Sequence, residues 1–285
     1  MLSVWKKPAV PLSNVQQEAL AAIAANRHPG SHVAGGTVIN RRGRRLSKDI
    51  DIFHDLSGND DRIRILKETV DADAASLVRA GFQVEWNARH PELYRAVILK
   101  DGEPTVLEWV VDSDFRFFPS IPDELFGFRL HMFDLATNKV LAAASRKEPR
   151  DVVDLVYINE NCFPIAAAIW AAPAKDPGYT PERLIEDLRR NAVYRQDDFD
   201  RVMSESPIDA RHISIALKSI LTQALEFANA MPPGYDGMAF VEDDQIVLPD
   251  VSRLDTYQTV TAERQAHWPT SPDINAETMA KGRKF

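Results

Sequence analysis

The stretch VAGGTVINRRGRRLSKDIDIF, residues 33–53, decides how the chain is to be read. An apolar lead-in runs into Gly35-Gly36-Thr37, and after eleven intervening residues comes Asp49-Ile50-Asp51, followed by Ile52 and Phe53. The second part reads as a short strand. Side chains alternate along a strand, so Asp49 and Asp51 share one face, roughly 6.5–7 Å apart at the backbone, while Ile50 and Ile52 turn to a core. Two carboxylates at that separation can converge on one divalent cation. Mg²⁺, or Mn²⁺ in its place, suits two Asp completed by water and phosphate oxygens. In the first part, Gly35 and Gly36 let the backbone approach a ligand closely. Thr37-Val38-Ile39-Asn40 can open a helix, whose first N–H groups attract anions, and the Thr37 hydroxyl adds a donor. Phosphate turn and acidic strand together suit chemistry on a nucleoside triphosphate.

Between them lie Arg41, Arg42, Arg44, Arg45 and Lys48. Such a run suits a solvated loop as well as a patch that binds the phosphates of a nucleotide or nucleic-acid acceptor. The chain as a whole is acidic, at net charge −8 over 285 residues, which excludes a protein coated in positive charge but not a local basic groove. At 45% hydrophobic and 27% charged residues it has the composition of a globular chain with a real core. Its one cysteine, Cys162, excludes an internal disulfide. With no apolar run near the ~20 residues of a membrane span and no signal-like N-terminus, a cytoplasmic protein without membrane contact is expected.

Periodicity divides the chain. Helices are expected over 15–26 and 59–80, and strands over 82–86, 93–99 and 105–111, with Lys100-Asp101-Gly102-Glu103 as a hairpin turn. Past Pro119 and Pro122 the pattern becomes helical, over 134–146, 149–159, 163–172, 181–192 and 208–230. Pro149 and Pro181 fall at first-turn positions. A small hairpin fits 239–248, followed by an ordered arm and a frayed end. The expected class is α+β: an N-terminal domain over 1–125 with a small mixed sheet, then a mainly helical domain with a C-terminal arm over 126–285.

Alternation in Thr105–Asp112 puts Glu108 among Val106 and Val110. An acid amid apolar strand residues is costly unless it is paired or binds metal. Glu108 therefore stands as a third ligand beside Asp49 and Asp51, with Asp112 and Asp114 as alternatives. Downstream, Lys139 interrupts an apolar helix, and Arg150-Asp151 and Asp154 open the next. Taken singly, each fits surface pairing or helix-start electrostatics. No G-x-G-x-x-G, Walker-type loop, H-E-x-x-H or G-x-S-x-G occurs.

Gly-Gly-Thr, then Arg45-x-Ser47-x-Asp49-Ile50-Asp51, then a lysine helix, then Arg150-Asp151-x-x-Asp154, resembles the AbiEii/AbiGii-type nucleotidyltransferases, a branch of the polymerase-β-like superfamily. These are toxin halves of bacterial toxin–antitoxin and phage-defence pairs. The resemblance spans roughly residues 30–160. It implies a nucleotidyltransferase-like N-terminal domain facing a helical C-terminal domain across a cleft. It implies Asp49, Asp51 and a third acid as catalytic metal ligands, with Ser47 joining Gly35, Gly36 and Thr37 in nucleotide binding. It implies Lys139 with Asp151 or Asp154 as the second wall of the site, with Lys139 reaching the nucleotide. Two departures are a Thr at position 37 where Ser is usual, and Glu108 where many relatives carry Asp. The expected activity is transfer of a nucleoside monophosphate from an NTP to an acceptor hydroxyl, with the tRNA 3′ end as the family's suggestion and an antitoxin as partner. A small-molecule nucleotidyltransferase and an inactive member that binds a partner protein are the alternatives.

Overall fold

In this computed structural model, which describes residues 12–43 and 45–264, the first helix is fixed by its opening residues. Helix α1 (Asn14–Ile23) begins with a reciprocal cap. The Ser13 hydroxyl accepts from the Gln16 amide at 3.3 Å, and the Gln16 side chain accepts from the Ser13 amide at 3.2 Å. Strand β1 (Ser31–Ala34), helix α2 (Gly35–Ile39), strand β2 (Asp49–Asp55) and helix α3 (Arg62–Arg79) follow. An antiparallel meander comes next: β3 (Gln83–His90), β4 (Leu93–Lys100) and β5 (Glu103–Asp112). Its second turn holds Asp101 and Gly102 at φ 52° and 82°, the paired positive values an Asp-Gly hairpin turn requires. Three short strands complete this part: β6 (Phe115–Arg116), β7 (Ile121–Asp123) and β8 (Gly127–Arg129).

The main sheet runs β3-β4-β5-β2-β1-β8-β7. β2 is parallel to β5 and β1 to β8, and the other neighbours are antiparallel. The fold is α+β, as expected. The division expected at residue 125 falls inside the sheet, because β8 pairs with β1 and ends at Arg129. Strand β1, which the sequence offers only as a short apolar lead-in, is interior to the sheet, and all four of its residues are buried. Four residues buried on both faces show no alternation to read.

Helices α1 and α3 cover one face of the sheet, over Ile50, Ile52, Ala96, Ile98, Leu107 and Trp109. Beneath them lies Asp73, fully buried. It accepts from Arg27 at 2.5 and 2.7 Å, from the Trp109 indole at 2.7 Å and from Asn26 at 2.8 Å. The opposite face carries Asp49, Asp51 and Glu108.

The helical part comprises α4 (Met132–Ser145), α5 (Pro149–Asn161), α6 (Ile165–Ala171), α7 (Pro181–Asn191), the single turn α8 (Gln196–Phe199) and α9 (Ala210–Ala230). Pro149 and Pro181 occupy first turns. Every residue of α6 is buried, so its apolar run is core. No single helix among the described residues is long and apolar enough to cross a membrane. The expected hairpin is present as β9 (Ala239–Glu242) and β10 (Gln245–Val247), joined by β11 (Gln258–Val260) into a three-stranded sheet. A last strand, β12 (Glu263–Arg264), returns to pair with β6. The frayed end expected near Phe285 lies outside the described residues.

Removing one partner of a buried ion pair strands the other charge, at about 3–5 kcal/mol. Asp73→Ala is therefore expected to lower stability by about that amount in urea unfolding. A loss below about 1 kcal/mol would show that Arg27 finds water or another partner.

Candidate active site

Strand β2 turns Asp49 and Asp51 away from α1 and α3, and the parallel register sets Asp51 directly beside Glu108 on β5. Adjacent strands lie about 4.8 Å apart. Asp112 pairs with Asp55 instead, four residues further along and roughly 13 Å away. The register thus selects Glu108, rather than Asp112 or the later Asp114, as the third acid beside Asp51. Glu108 also meets Arg95 Nε at 3.2 Å.

The consequence is electrostatic. Burial, and then the nearby charges of Asp49 and Glu108, push the Asp51 carboxyl up to about 7, against the opposing pull of Lys139 and Arg150. Among the described residues no three His, Cys, Asp or Glu side chains form a ready-made metal cage. The donor set is instead a group of mutually repelling carboxylates. Such a set fits a hard divalent cation whose shell is completed by substrate oxygens.

Next to the acids is the glycine turn. Gly35 has φ +73°, which disfavours any side chain, and a Cβ there would collide with the Asp51 carboxylate. A Cβ on Gly36 would collide with the Arg45 guanidinium and come within 3.0 Å of Ser47 Oγ. Both glycines are therefore required by close approach to the acids and the basic loop. Thr37 corrects an expectation. It is buried, and its hydroxyl donates to the backbone carbonyl of Asp49, so it ties α2 to β2 instead of offering its hydrogen to a phosphate. Ser47 Oγ donates to Asp49 Oδ1 at 2.7 Å, and its carbonyl accepts from Gln16 at 2.9 Å. In this structure Ser47 fixes the orientation of Asp49.

Asp151 and Asp154 correct another expectation. Both side chains are fully enclosed, so neither reaches ligand space as a direct catalytic group would. Asp154 Oδ1 accepts from Asn40 at 2.8 Å and from Arg45 Nε at 2.7 Å. Its Oδ2 accepts from Arg45 Nη2 at 2.9 Å and pairs with Lys139 Nζ at 3.2 Å. Asp151 accepts from Lys139 at 3.0 Å and from Arg146 at 2.7 and 3.0 Å. Burial opposes both charges, yet these cations and hydrogen bonds hold both carboxyls below the usual range. Lys139 is itself held by two acids and has one N–H left to give.

The basic loop divides. Arg45 is held by Asp154 with little of its side chain exposed, and Arg41, which stays partly exposed, pairs with Asp123 at 2.5 Å above the Phe126 ring. Arg44 lies outside the described residues. Arg42 and Lys48 are exposed. Lys48 lines a cleft of about 440 Å³ together with Lys147, Arg150 and Arg201, against the acids Glu148 and Asp198. Leu46 and Met203 contribute apolar surface to it. Arg150 Nη1 stands 3.7 Å from Asp49 Oδ2, so the cleft adjoins the acids. Sequence reasoning missed Asn40, Arg146 and the cleft residues Lys147 and Arg201. Arg150 was legible as part of the Arg150-Asp151-x-x-Asp154 motif, though helix-start electrostatics was an equally local reading of it.

The profile of the family described as "Nucleotidyl transferase AbiEii toxin, Type IV TA system" matches residues 19–223. No curated protein matches in sequence. Among solved structures, the chain resembles MenT4, a nucleotidyltransferase toxin from Mycobacterium tuberculosis H37Rv, with TM-score 0.51 and 17% identity over 75% of this chain and 85% of that one. That likeness concerns the fold alone. A protein from H. pylori, described provisionally as a nucleotidyltransferase, gives TM-score 0.44 and 14% identity over 75% of this chain and 94% of that one.

The strain on Asp51 has a measurable sign. Its folded value is about 7 against an ordinary 3.8, so between those values the folded protein holds a proton that the unfolded chain has lost. Stability then falls as pH rises through that window. In metal-free buffer, Asp51→Asn is expected to melt above the wild type at pH 8, by on the order of 1–4 kcal/mol, and to match it below pH 4. Equal melting temperatures at pH 8 would refute the raised value of this buried carboxyl.

Proposed function

The chain belongs to the AbiEii nucleotidyl transferase toxin family, and from that premise we propose that Asp49, Asp51 and Glu108 form the centre of its nucleotidyl transfer. The acceptor hydroxyl oxygen attacks the α-phosphorus of a nucleoside triphosphate, the bond to the leaving pyrophosphate breaks, and the hydroxyl proton passes to solvent. Asp49 and Asp51, with Glu108 beside them, are the residues that would hold Mg²⁺ or Mn²⁺. Bound there, such an ion supplies charge neutralisation on the triphosphate and a lower pKa for the attacking hydroxyl.

The chain's own residues supply position. Ser47 and the Thr37 hydroxyl orient Asp49 from its side chain and its backbone. Gly35 and Gly36 leave backbone without side chains next to the acids, as a triphosphate requires. The remaining N–H of Lys139 serves the phosphates as a point charge. Positioning and charge neutralisation carry most of phosphoryl-transfer catalysis.

The observation that carries this reading is the convergence of Asp51 and Glu108 in register, beside a cleft lined by Lys48, Lys147, Arg150 and Arg201. A cleft with that excess of cations suits a polyanionic acceptor, despite the acidic chain around it. An RNA end, with the tRNA 3′ terminus as the favoured case, fits it better than a small neutral acceptor. The family's description as a type IV toxin–antitoxin system supports an antitoxin as the cognate partner.

The test is incubation with each α-labelled NTP, Mg²⁺ and separate pools of total RNA, protein and small metabolites. Label is expected in RNA, and Asp51→Asn is expected to lower its incorporation by about 10²–10³-fold or more while the protein stays folded. Label confined to metabolites or protein would overturn the acceptor assignment. Undiminished transfer by the variant would overturn the acid assignment.

A further inference from the structure

Asp154 is a fully enclosed charge on the helical side of the site, and its three partners, Asn40, Arg45 and Lys139, all lie on, or reach, segments the proposed chemistry uses. Asn40 Nδ2 donates both to Asp154 Oδ1 at 2.8 Å and to the Gly36 carbonyl at 3.0 Å. Arg45 grips both carboxylate oxygens, with Nε on one and Nη2 on the other, and that same guanidinium lies against Gly36 where a side chain would otherwise be. Lys139 completes the set from α4.

We infer that Asn40, Arg45 and Asp154 form one positioning unit that fixes the Gly35-Gly36 turn and the Lys139 ammonium relative to each other. The assignment rests on the nucleotidyl-transfer reading, since these are the two groups that reading places on the triphosphate. Their polar contacts are to the turn, the loop and the lysine, although Arg45 also reaches the wall of the cleft. Arg45 has only 5% of its side chain exposed and Asp154 none. They act through the turn and the lysine.

The chemistry of the contacts favours this role over simple cohesion. A buried ion network adds little net stability compared with apolar residues of the same volume. It does impose direction. The fork of Arg45 matches a carboxylate in one plane and one distance, and a lysine cannot reproduce it. Asn40 satisfies a backbone carbonyl and a carboxylate oxygen together, so the turn cannot shift without disturbing Asp154. The loop is also stitched from its other side. Arg45 bridges Ser204, and the Leu46 amide donates to the Met203 carbonyl at 2.9 Å. A carboxylate held this way gives the lysine a fixed place before any nucleotide arrives.

The test is a double-mutant cycle on NTP transfer, using the full chain and the pool that accepts label. Arg45→Lys keeps the charge and loses the fork, and is expected to lower kcat/KM by about 10–100-fold with a thermal melt still above the assay temperature. Lys139→Ala is expected to cost about 10²–10³-fold. If Arg45 acts through the lysine, the double variant loses clearly less than the product of the two single losses. Losses that multiply would overturn the unit. Should Arg45→Lys melt below the assay temperature, Asn40→Ala, which removes only a neutral donor, takes its place in the same cycle. A wild type that transfers no label would sink the nucleotidyl-transfer reading and this assignment with it. An active wild type with multiplying losses sinks the positioning unit alone.

Discussion

Asp154 keeps its charge at zero exposure, and inside a protein that is possible only where donors surround it. Here the donors come from three separate stretches: Asn40 after the glycine turn, Arg45 in the basic loop, and Lys139 on α4. Satisfying this one carboxylate obliges all three to meet α5. The sheet and the helices are therefore joined by an electrostatic requirement as well as by apolar packing. A segment that pulled away would leave a buried charge with too few partners, and the cost would exceed that of losing an ordinary contact. Asp73, on the other side of the sheet, applies the same rule to Arg27 and Trp109, and so ties α3 to the strand whose opposite face carries Glu108.

The two acid groups of the site stand in opposite conditions. Asp151 and Asp154 have a surplus of donors and are held below the usual carboxylate range. Asp51 is buried among neighbours of its own sign, and burial first and those charges second push it up to about 7. The first group is finished by the protein and the second is not. Carboxylates left short of donors in the folded state are the environment in which functional sites concentrate. Arg150 is the partial exception. It approaches Asp49 at 3.7 Å and is half-exposed, so it moderates the repulsion without cancelling it.

Much of this was legible from residues alone. Alternation over Ile50–Phe53 put the two aspartates on one face, and the structure agrees, with Ile50 and Ile52 fully buried. The Asp-Gly turn, the proline-started helices and the α+β class followed from local chemistry. What sequence could not show was partnership. Whether Glu108 or Asp112 stands beside Asp51 depends on the register between strands separated by some fifty residues, and no local pattern encodes it. Arg41 and Arg45 looked like members of a single basic loop, yet one is paired with Asp123 and the other sealed beneath Gly36. Strands β7 and β8 were missed because three residues each, interrupted by Pro122, carry too little alternation to distinguish from loop.

The pairing of β12 with β6 ties residues near the end of the described chain to residues before its midpoint. Synthesis proceeds from the N-terminus, and domains form as they emerge. The segments that carry the acids and the glycine turn have emerged once β5 has left the ribosome, and those of the Asp154 network once α5 has. The cleft wall waits for residues 198–203, and the clasp on β6 waits for residue 263. A growing chain thus acquires its reactive acids first, the groove beside them later, and the strand that covers the edge of β6 last. For a protein of a toxin family, the interval between those events is a period in which the acid-bearing strands exist without the groove beside them.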